Sequence, residues 1–327
     1  MKTTFKISFV ILSVFLLYSC KKDKGTLPVV STSEVTEITL STAICGGTMT
    51  ADPYSIVSKG ICWSTEQNPT IADNKTVDNS LTSSFSDWMT GLSATTTYYV
   101  RAFATSSAGT GYGNQIKFTT LIDYSGQTGT VSDVDGNTYP TIGIGGQIWM
   151  AKNLATTKFQ DGTAIPLVTG NTTWASLSTA AYCYYNNSLD NKTNYGGLYN
   201  FYTIDPSING NKNVCPTGWH VPTDMEFITL FMYLGQGQAG QKLKESGTSH
   251  WLSSNTGTNQ SGFSALPGGV RYDGNGMFDQ IGYDCLFWSS TSSGVNTVNL
   301  QISDNAANVN YTSNNKVFGF SIRCLKN

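Results

Sequence analysis

Residues 215–234 read CPTGWHVPTDMEFITLFMYL, and the second half of this stretch reads as a helix with a defined start. Thr223 with Glu226 three residues on makes a capping box, and Asp224 adds a negative charge where the helix dipole favours one. Phe227, Leu230, Phe231 and Leu234 recur at helical spacing, and Gly235 is a natural stop. A second short helix is expected over residues 239–245. Gly235, Gly237 and Gly240 spell G-x-G-x-x-G, but a dinucleotide loop follows a strand. Here a helix precedes the glycines, so they form a loop between helices. Outward from this helix the signals are strand-sized. Asp135-Gly136-Asn137 is a hairpin turn between short strands in 131–154. Asp133, Asp135 and Asn137 resemble the start of a calcium loop, but no Glu closes it as an EF-hand requires. Residues 261–271, 287–291 and 318–324 read as short strands and turns that pack aromatics.

Upstream, residues 29–120 carry β-branched and aromatic runs at 42–50, 57–64, 97–105 and 115–120, separated by Asp-Pro, Asn-Pro and Ser-Ala-Gly punctuation. Short strands at this spacing predict a sandwich. The stretch 91–109, GLSATTTYYVRAFATSSAG, resembles the E–F corner and strand F of a fibronectin type III domain. Leu92, Thr96 and Tyr98 match that family's L-x-P-x-T-x-Y, with Ala94 in place of the proline. The resemblance implies an immunoglobulin-like sandwich and a Tyr98 hydroxyl bonded back to the corner backbone. It implies a spacer and no chemistry. Residues 121–130 (from LIDYSGQTG) read as a polar linker.

The chain has 327 residues, of which 39% are hydrophobic and only 12% charged, about half the globular norm of roughly 25%. Gly, Ser, Thr, Asn and aromatics fill the gap. That fits an exported, β-rich protein and disfavours disorder or a coiled coil. Met1–Lys6 is basic, and ISFVILSVFLLYS (7–19) is a 13-residue apolar run. A spanning helix needs roughly 20, so this is a secretory signal. It ends Leu17-Tyr18-Ser19-Cys20, which resembles a bacterial lipobox. The resemblance implies that Cys20 is acylated, that residues 1–19 are removed and that 20–28 are a tether. The expected setting is the outer membrane, with the surface and the periplasmic face both open. A plain signal peptide with an incidental Cys is the other arrangement. Without residues 1–19, 17 basic and 21 acidic residues remain. No basic stripe suits nucleic acid.

The blocks DGNTYPTIGIGGQIWMAKNL (135–154), GGLYNFYTI (196–204), CPTGWHVPTDMEF (215–227), SGFSALPGGVR (261–271), FWSST (287–291) and GFSIRC (319–324) occur in order. They resemble the Fibrobacter succinogenes major paralogous domain of bacterial surface proteins, over residues 131–327. Phe201 and Phe227 stand where that family usually has Trp. The same blocks look distantly like the fold shared by C-type lectins and formylglycine-generating enzymes. There an LPTEAEW helix start and a terminal GFR strand play the parts of VPTDMEF and GFSIR. The fold class expected is therefore an all-β immunoglobulin-like sandwich followed by an α+β C-type-lectin-like domain.

The chemistry is thin. His220 and His250 are the only histidines, so a multi-His metal site is excluded. No G-x-S-x-G marks a serine hydrolase. His220, beside Trp219, reads as structural. Glu226 is used in the cap and Glu245 lies among lysines, so facing glycosidase carboxylates are not expected. No E-P-N, Q-P-D or W-N-D motif provides a calcium-dependent sugar site. Arg271 and Arg323 read as structural donors to carbonyls or Asp side chains. In an exported chain the cysteines read as bridges. Cys215–Cys324 would tie the helix entry to the last strand, leaving Cys183–Cys285. Cys45 and Cys62 are spaced to bridge two strands, with two buried thiols as the alternative.

The expectation is a non-enzymatic surface lipoprotein with no cofactor, binding a glycan or a surface protein. A structural envelope component and a formylglycine-generating-like oxidase are the alternatives. In lectin-like domains the ligand-facing surface lies on the long loops. That maps to 272–285, with Tyr272, Asp273, Asn275, Phe278, Tyr283 and Asp284 as candidate contacts; a glycine-rich hairpin with incidental aromatics is the other reading.

Overall fold

The computed structural model describes residues 25–50, 55–252, 254–293 and 296–327. Cys20 and the signal segment lie outside these residues. The chain divides into two compact units. Of the described residues, the first holds those in 25–38, 42–91 and 97–119; the second holds those in 120–327 with the short pieces 39–41 and 92–96.

The first unit is built of β1 (Val30–Thr32), β2 (Ala43–Met49), β3 (Ile56–Ser64), β4 (Asn74–Lys75), β5 (Ser84–Met89), β6 (Thr97–Ser106), β7 (Gly109–Tyr112) and β8 (Ile116–Thr119). They make two antiparallel sheets, β1-β2-β5 and β4-β3-β6-β7, with β8 pairing the first half of β6. The arrangement is consistent with a β-sandwich. Tyr98, Val100, Ala102 and Ala104 alternate inward along β6, and Tyr98 stacks on Phe118 at 5.8 Å.

Register explains why Cys45 and Cys62 are free thiols here rather than a bridge. Cys45 pairs with Asp87 between the buried Phe85 and Met89, so it points into the sandwich. Cys62 pairs with Arg101, on the opposite face of its sheet from Ile61 and Trp63. Strict alternation would leave one of these two sets facing outward. Instead Ile61, Cys62 and Trp63 are all buried, because the segment after β3 folds over the outer face and Pro69 O accepts from the Cys62 thiol. Burial pushes the thiol of Cys45 up to about 11 and that of Cys62 to about 12.

The second unit is mostly small antiparallel sheets with few helices. Its largest sheet has the order β14-β20-β11-β10-β9. These strands are β9 (Thr128–Ser132), β10 (Thr138–Ile144), β11 (Gln147–Met150), β14 (Trp219–His220) and β20 (Leu325–Lys326). Residues 121–130, expected as a linker, fold into this unit. Tyr124 N donates to Gly145 O at 2.8 Å, Gly126 N to Gly143 O at 3.0 Å, and β9 begins at Thr128. A three-stranded sheet joins β17 (Asp284–Ser293), β18 (Asn296–Ser303) and β19 (Asn310–Asn315). Two short ladders pair β12 (Tyr182–Cys183) with β13 (Leu198–Tyr199), and β15 (Gly268–Arg271) with β16 (Phe278–Ile281).

The helices are α1 (Asn171–Ala175), α2 (Leu189–Tyr195), α3 (Pro206–Asn209), α4 (Asp224–Leu234) and α5 (Ala239–Leu243). The expected capping box opens α4, with Thr223 N donating to Glu226 Oε2 at 2.8 Å and Glu226 N to Thr223 Oγ1 at 3.2 Å. Phe227, Leu230, Phe231 and Leu234 bury against Trp149, Trp251, Phe263 and Phe287. At the 133–137 turn, Asp133 accepts from Asp135 N, Asn137 N, Asn137 Nδ2 and the Tyr139 hydroxyl, at 2.6–3.0 Å. Asp135 accepts from Thr157 and pairs with Lys158 at 3.1 Å. Protein donors thus occupy both carboxylates of the apparent calcium loop.

Cys215 and Cys324 form a disulfide. Cys183 and Cys285 do not, because they belong to different cores. Cys183 lies with Trp174 and Leu198, beside Arg271, and burial pushes its thiol up to about 12. Cys285 lies with Trp149 and Phe263, near Arg323, and burial pushes its thiol higher still. Thiols this buried and this basic are inert. A thiol probe should therefore label none of the four in the native mature chain lacking Cys20, and all four in denaturant without reductant. Two or fewer in denaturant would mean that further bridges form.

Candidate functional site

Three of the chain's cations, Lys244, Arg271 and Arg323, are fully buried. Arg271 is fully buried and donates to Gly276 O, Val168 O and Thr169 O at 2.6–2.9 Å, between the rings of Trp174 and Phe278. Lys244 is equally buried and donates to the carbonyls of Ser303, Asp304 and Ala306; burial lowers its ammonium to about 8. Arg323 donates to Asn153 Oδ1 (2.8 Å), Met150 O (3.1 Å), Phe263 O (2.5 Å) and Ser264 O (2.7 Å). Burial lowers it to about 9, so it stays charged at neutral pH. Both arginines are structural donors, as expected, but their partners are carbonyls and Asn side chains.

Arg323 lies against a cleft of about 640 Å³, since the Ser264 carbonyl it holds belongs to a residue that lines it. One wall comes from β10 and the residues after β11: Pro140, Ile142, Ala151 and Lys152. The end of α2 adds Thr193 and Asn194. The opposite wall is Glu245, His250, Ser264 and Leu266. Asn153 ties the first wall together, because its Nδ2 donates to Tyr195 O at 2.8 Å while its Oδ1 accepts from Arg323. The same guanidinium holds the carbonyls of residues 263 and 264 on the other wall. Asn255 Nδ2 donates to Glu245 O (2.9 Å) and Gly247 O (2.6 Å), fixing the loop that displays His250.

His250 Nδ1 lies 2.9 Å from Glu245 Oε2, and the ring meets Tyr195 edge to face at 5.5 Å. A carboxylate on Nδ1 orients the ring and leaves Nε2 to face a ligand. Such a pair is also the orienting half of a nucleophile-activating triad. The hydroxyls lining this cleft are those of Thr128, Thr141, Thr193 and Ser264, and the Ser264 hydroxyl accepts from Asn259 Nδ2 at 2.9 Å. Glu245 is the one carboxylate among the lining residues. A second, smaller hollow of about 230 Å³ adjoins the cleft, shares Lys152, Thr193 and Asn194 with it, and adds Lys192.

The candidate contacts named from the sequence, Tyr272, Asp273, Asn275, Phe278, Tyr283 and Asp284, are not among the residues that line this cleft. Residues 272–277 turn the β15–β16 hairpin. Tyr272 is half-buried with its ring against Phe318, and Phe278 packs on Tyr185 and Arg271. Asp284 is buried and accepts from Gln301 Nε2 at 3.0 Å. Asn275 Oδ1 accepts from Met277 N within the turn. Tyr283 is exposed, and Asp273 is half-buried. The observed cleft went unread because its walls come from six separate stretches of chain, most of them uncharged residues. The available signal was the spacing of Glu245 and His250, two of the scarcest residue types here.

His220 carries a second ion pair, away from the cleft. Its Nε2 lies 2.9 Å from Glu226 Oε1 and its Nδ1 2.6 Å from Asn327 Oδ1. The Glu226 hydrogen bond raises the His220 pKa above 6.5 against the pull of burial. Burial pushes Glu226 up, but hydrogen bonds from His220 and Thr223 outweigh it and hold Glu226 below 4.5. The His220 contribution to stability is full below about pH 6.5 and fades as pH rises through the folded value. The Glu226 contribution is present above about pH 4.3 and fades as pH falls through the folded value. Melting temperatures should show a component of stability peaking between these limits that Glu226→Gln removes. An unchanged pH profile in that variant would refute the assignment.

The chain belongs to the Fibrobacter succinogenes major domain family, which it matches over residues 142–326, more than half of its length. No curated protein matches it. Among solved structures it is similar to the sensor domain of the anti-sigma factor RsgI4 of Pseudobacteroides cellulosolvens. The shorter form is 15% identical with a TM-score of 0.23, covering 30% of this chain and 97% of that one. The longer form is 18% identical with a TM-score of 0.24, covering 32% and 100%.

Proposed function

We propose that this chain is a lipid-anchored protein of the bacterial outer membrane, exposed at the cell surface. Its second unit is a lectin-like domain that binds a glycan or a protein without acting on it chemically, and its first unit is a fibronectin type III-like spacer. The observation that carries the binding role is the cleft above Arg323. It joins an apolar floor to a rim of hydroxyl, amide and ammonium groups, the composition of a recognition site. Its single carboxylate is engaged by His250, so the two-carboxylate arrangement of glycoside hydrolysis is not assembled there. The sheet orders β1-β2-β5 and β4-β3-β6-β7 support the spacer assignment. Inert, buried thiols weigh against a cysteine oxidase.

The test is an array of glycans and matrix proteins probed with residues 21–327, with and without calcium. Specific, saturable binding supports the reading, and an array without any ligand favours a structural envelope role. For the anchor, Cys20→Ala should move the protein from the detergent phase to the soluble fraction. If that variant stays membrane-bound, the anchor lies elsewhere.

A further inference from the structure

The cleft and its neighbouring hollow share Lys152, Thr193 and Asn194, so together they outline one elongated groove. Its charge is not balanced like the rest of the molecule. Lys59, Lys158, Lys212 and Lys316 each pair with an aspartate. Lys152 and Lys192, at the rim, make no ion pair among the described residues. Glu245, which could offset them, is held by His250 on the far wall. The local sign is therefore positive in a chain whose formal net charge is −2. Between these charges lie hydroxyl and amide groups (Thr193, Asn194, Ser264) over an apolar floor of Pro140, Ile142 and Leu266. Hydroxyls and amides suit sugar hydroxyls, an apolar floor suits the C–H face of a pyranose, and unpaired ammonium groups suit anionic substituents.

The geometry points to an acidic polysaccharide as the ligand of this groove, with carboxylate or sulfate groups facing Lys152 and Lys192. This rests on the binding role proposed above and specifies its ligand class. The two hollows, of about 640 and 230 Å³, have Lys152, Thr193 and Asn194 in common.

The full-length chain in detergent would be titrated calorimetrically with polygalacturonate, dextran sulfate and neutral dextran. Binding is expected for at least one polyanion and not for dextran. A carboxylate ligand is indicated if polygalacturonate alone binds, and a sulfated one if dextran sulfate alone does. Affinity should weaken with salt. Lys152→Ala with Lys192→Ala should raise Kd about tenfold or more, since a charge-assisted contact is lost. Lys152→Arg with Lys192→Arg should largely retain it. Both lysines lie at the rim, and a melting curve matching the parent confirms that the variants fold. The inference is overturned if neither polyanion binds, if dextran binds equally well, or if the double alanine variant binds within twofold of the parent. A neutral glycan or protein ligand lost on blocking this cleft would overturn the acidic class and leave the binding role standing. An array with no ligand at all would remove the binding role itself.

Discussion

Replacing Arg323 with methionine should destabilise the second unit by about 3–5 kcal/mol, the range for removing one partner from a buried charged network. Four acceptors depend on this guanidinium: Asn153 Oδ1, Met150 O, Phe263 O and Ser264 O. Orphaning a buried acceptor costs about 1–3 kcal/mol each, and the losses are not additive because the site relaxes. The planar group also lies over the Phe263 ring at 4.5 Å and near Phe287 at 5.4 Å. Arg323→Lys should therefore rescue little, since an ammonium has three donors on a flexible stem and no plane to stack. The check is the urea midpoint of the second unit in both variants. A loss below about 1 kcal/mol in the methionine variant would show that water reaches these carbonyls and that the network is not structural.

The same residue shows what could be read from the chain alone. The α4 helix was legible because its determinants are local: a cap at Thr223, a partner at Glu226 and apolar residues one turn apart. The hairpin at 133–137 was legible for the same reason. Arg323 was readable as structural, but its partners were not, because three of them are backbone carbonyls that only the fold brings together. The cysteines divide likewise. Cys215–Cys324 could be argued from the two elements it joins. Cys45 and Cys62 required register, which sets one pointing into the sandwich and the other out of it. The segment 272–285 looked ligand-facing because it is rich in Tyr, Phe, Asn and Asp. In the structure Phe278 is taken up by Tyr185 and Arg271, and Asp284 by Gln301. Aromatic-rich sequence marks packing as readily as recognition. The cleft is assembled from residues spread between 128 and 266, which only the fold brings together.

The Cys215–Cys324 bridge should make the other large contribution. It closes a sequence separation of 109 residues. In the chain-entropy account a loop of this length restricts the unfolded state by about 4–5 kcal/mol, with native contacts unchanged. For a unit of this size that is a fall of about 10 °C or more in melting temperature for the Cys215→Ala, Cys324→Ala double variant. The folded state adds a local reason. Cys324 directly precedes β20, a two-residue strand that pairs Leu325 with Trp149 of β11 and with His220 of β14. So short a strand holds two neighbours together only if its own position is fixed. The bridge fixes it from the β14 side, and Arg323 fixes it from the cleft side. Reduction should therefore loosen the C-terminal residues before the rest of the unit. Amide exchange should speed first at 322–327 and then at Phe263 and Ser264, whose carbonyls Arg323 holds. The double alanine variant should bind ligand more weakly even at temperatures where it remains folded. A variant that melts within about 2 °C of the parent, with unchanged exchange at Ser264, would show that the sheet positions β20 without the bridge.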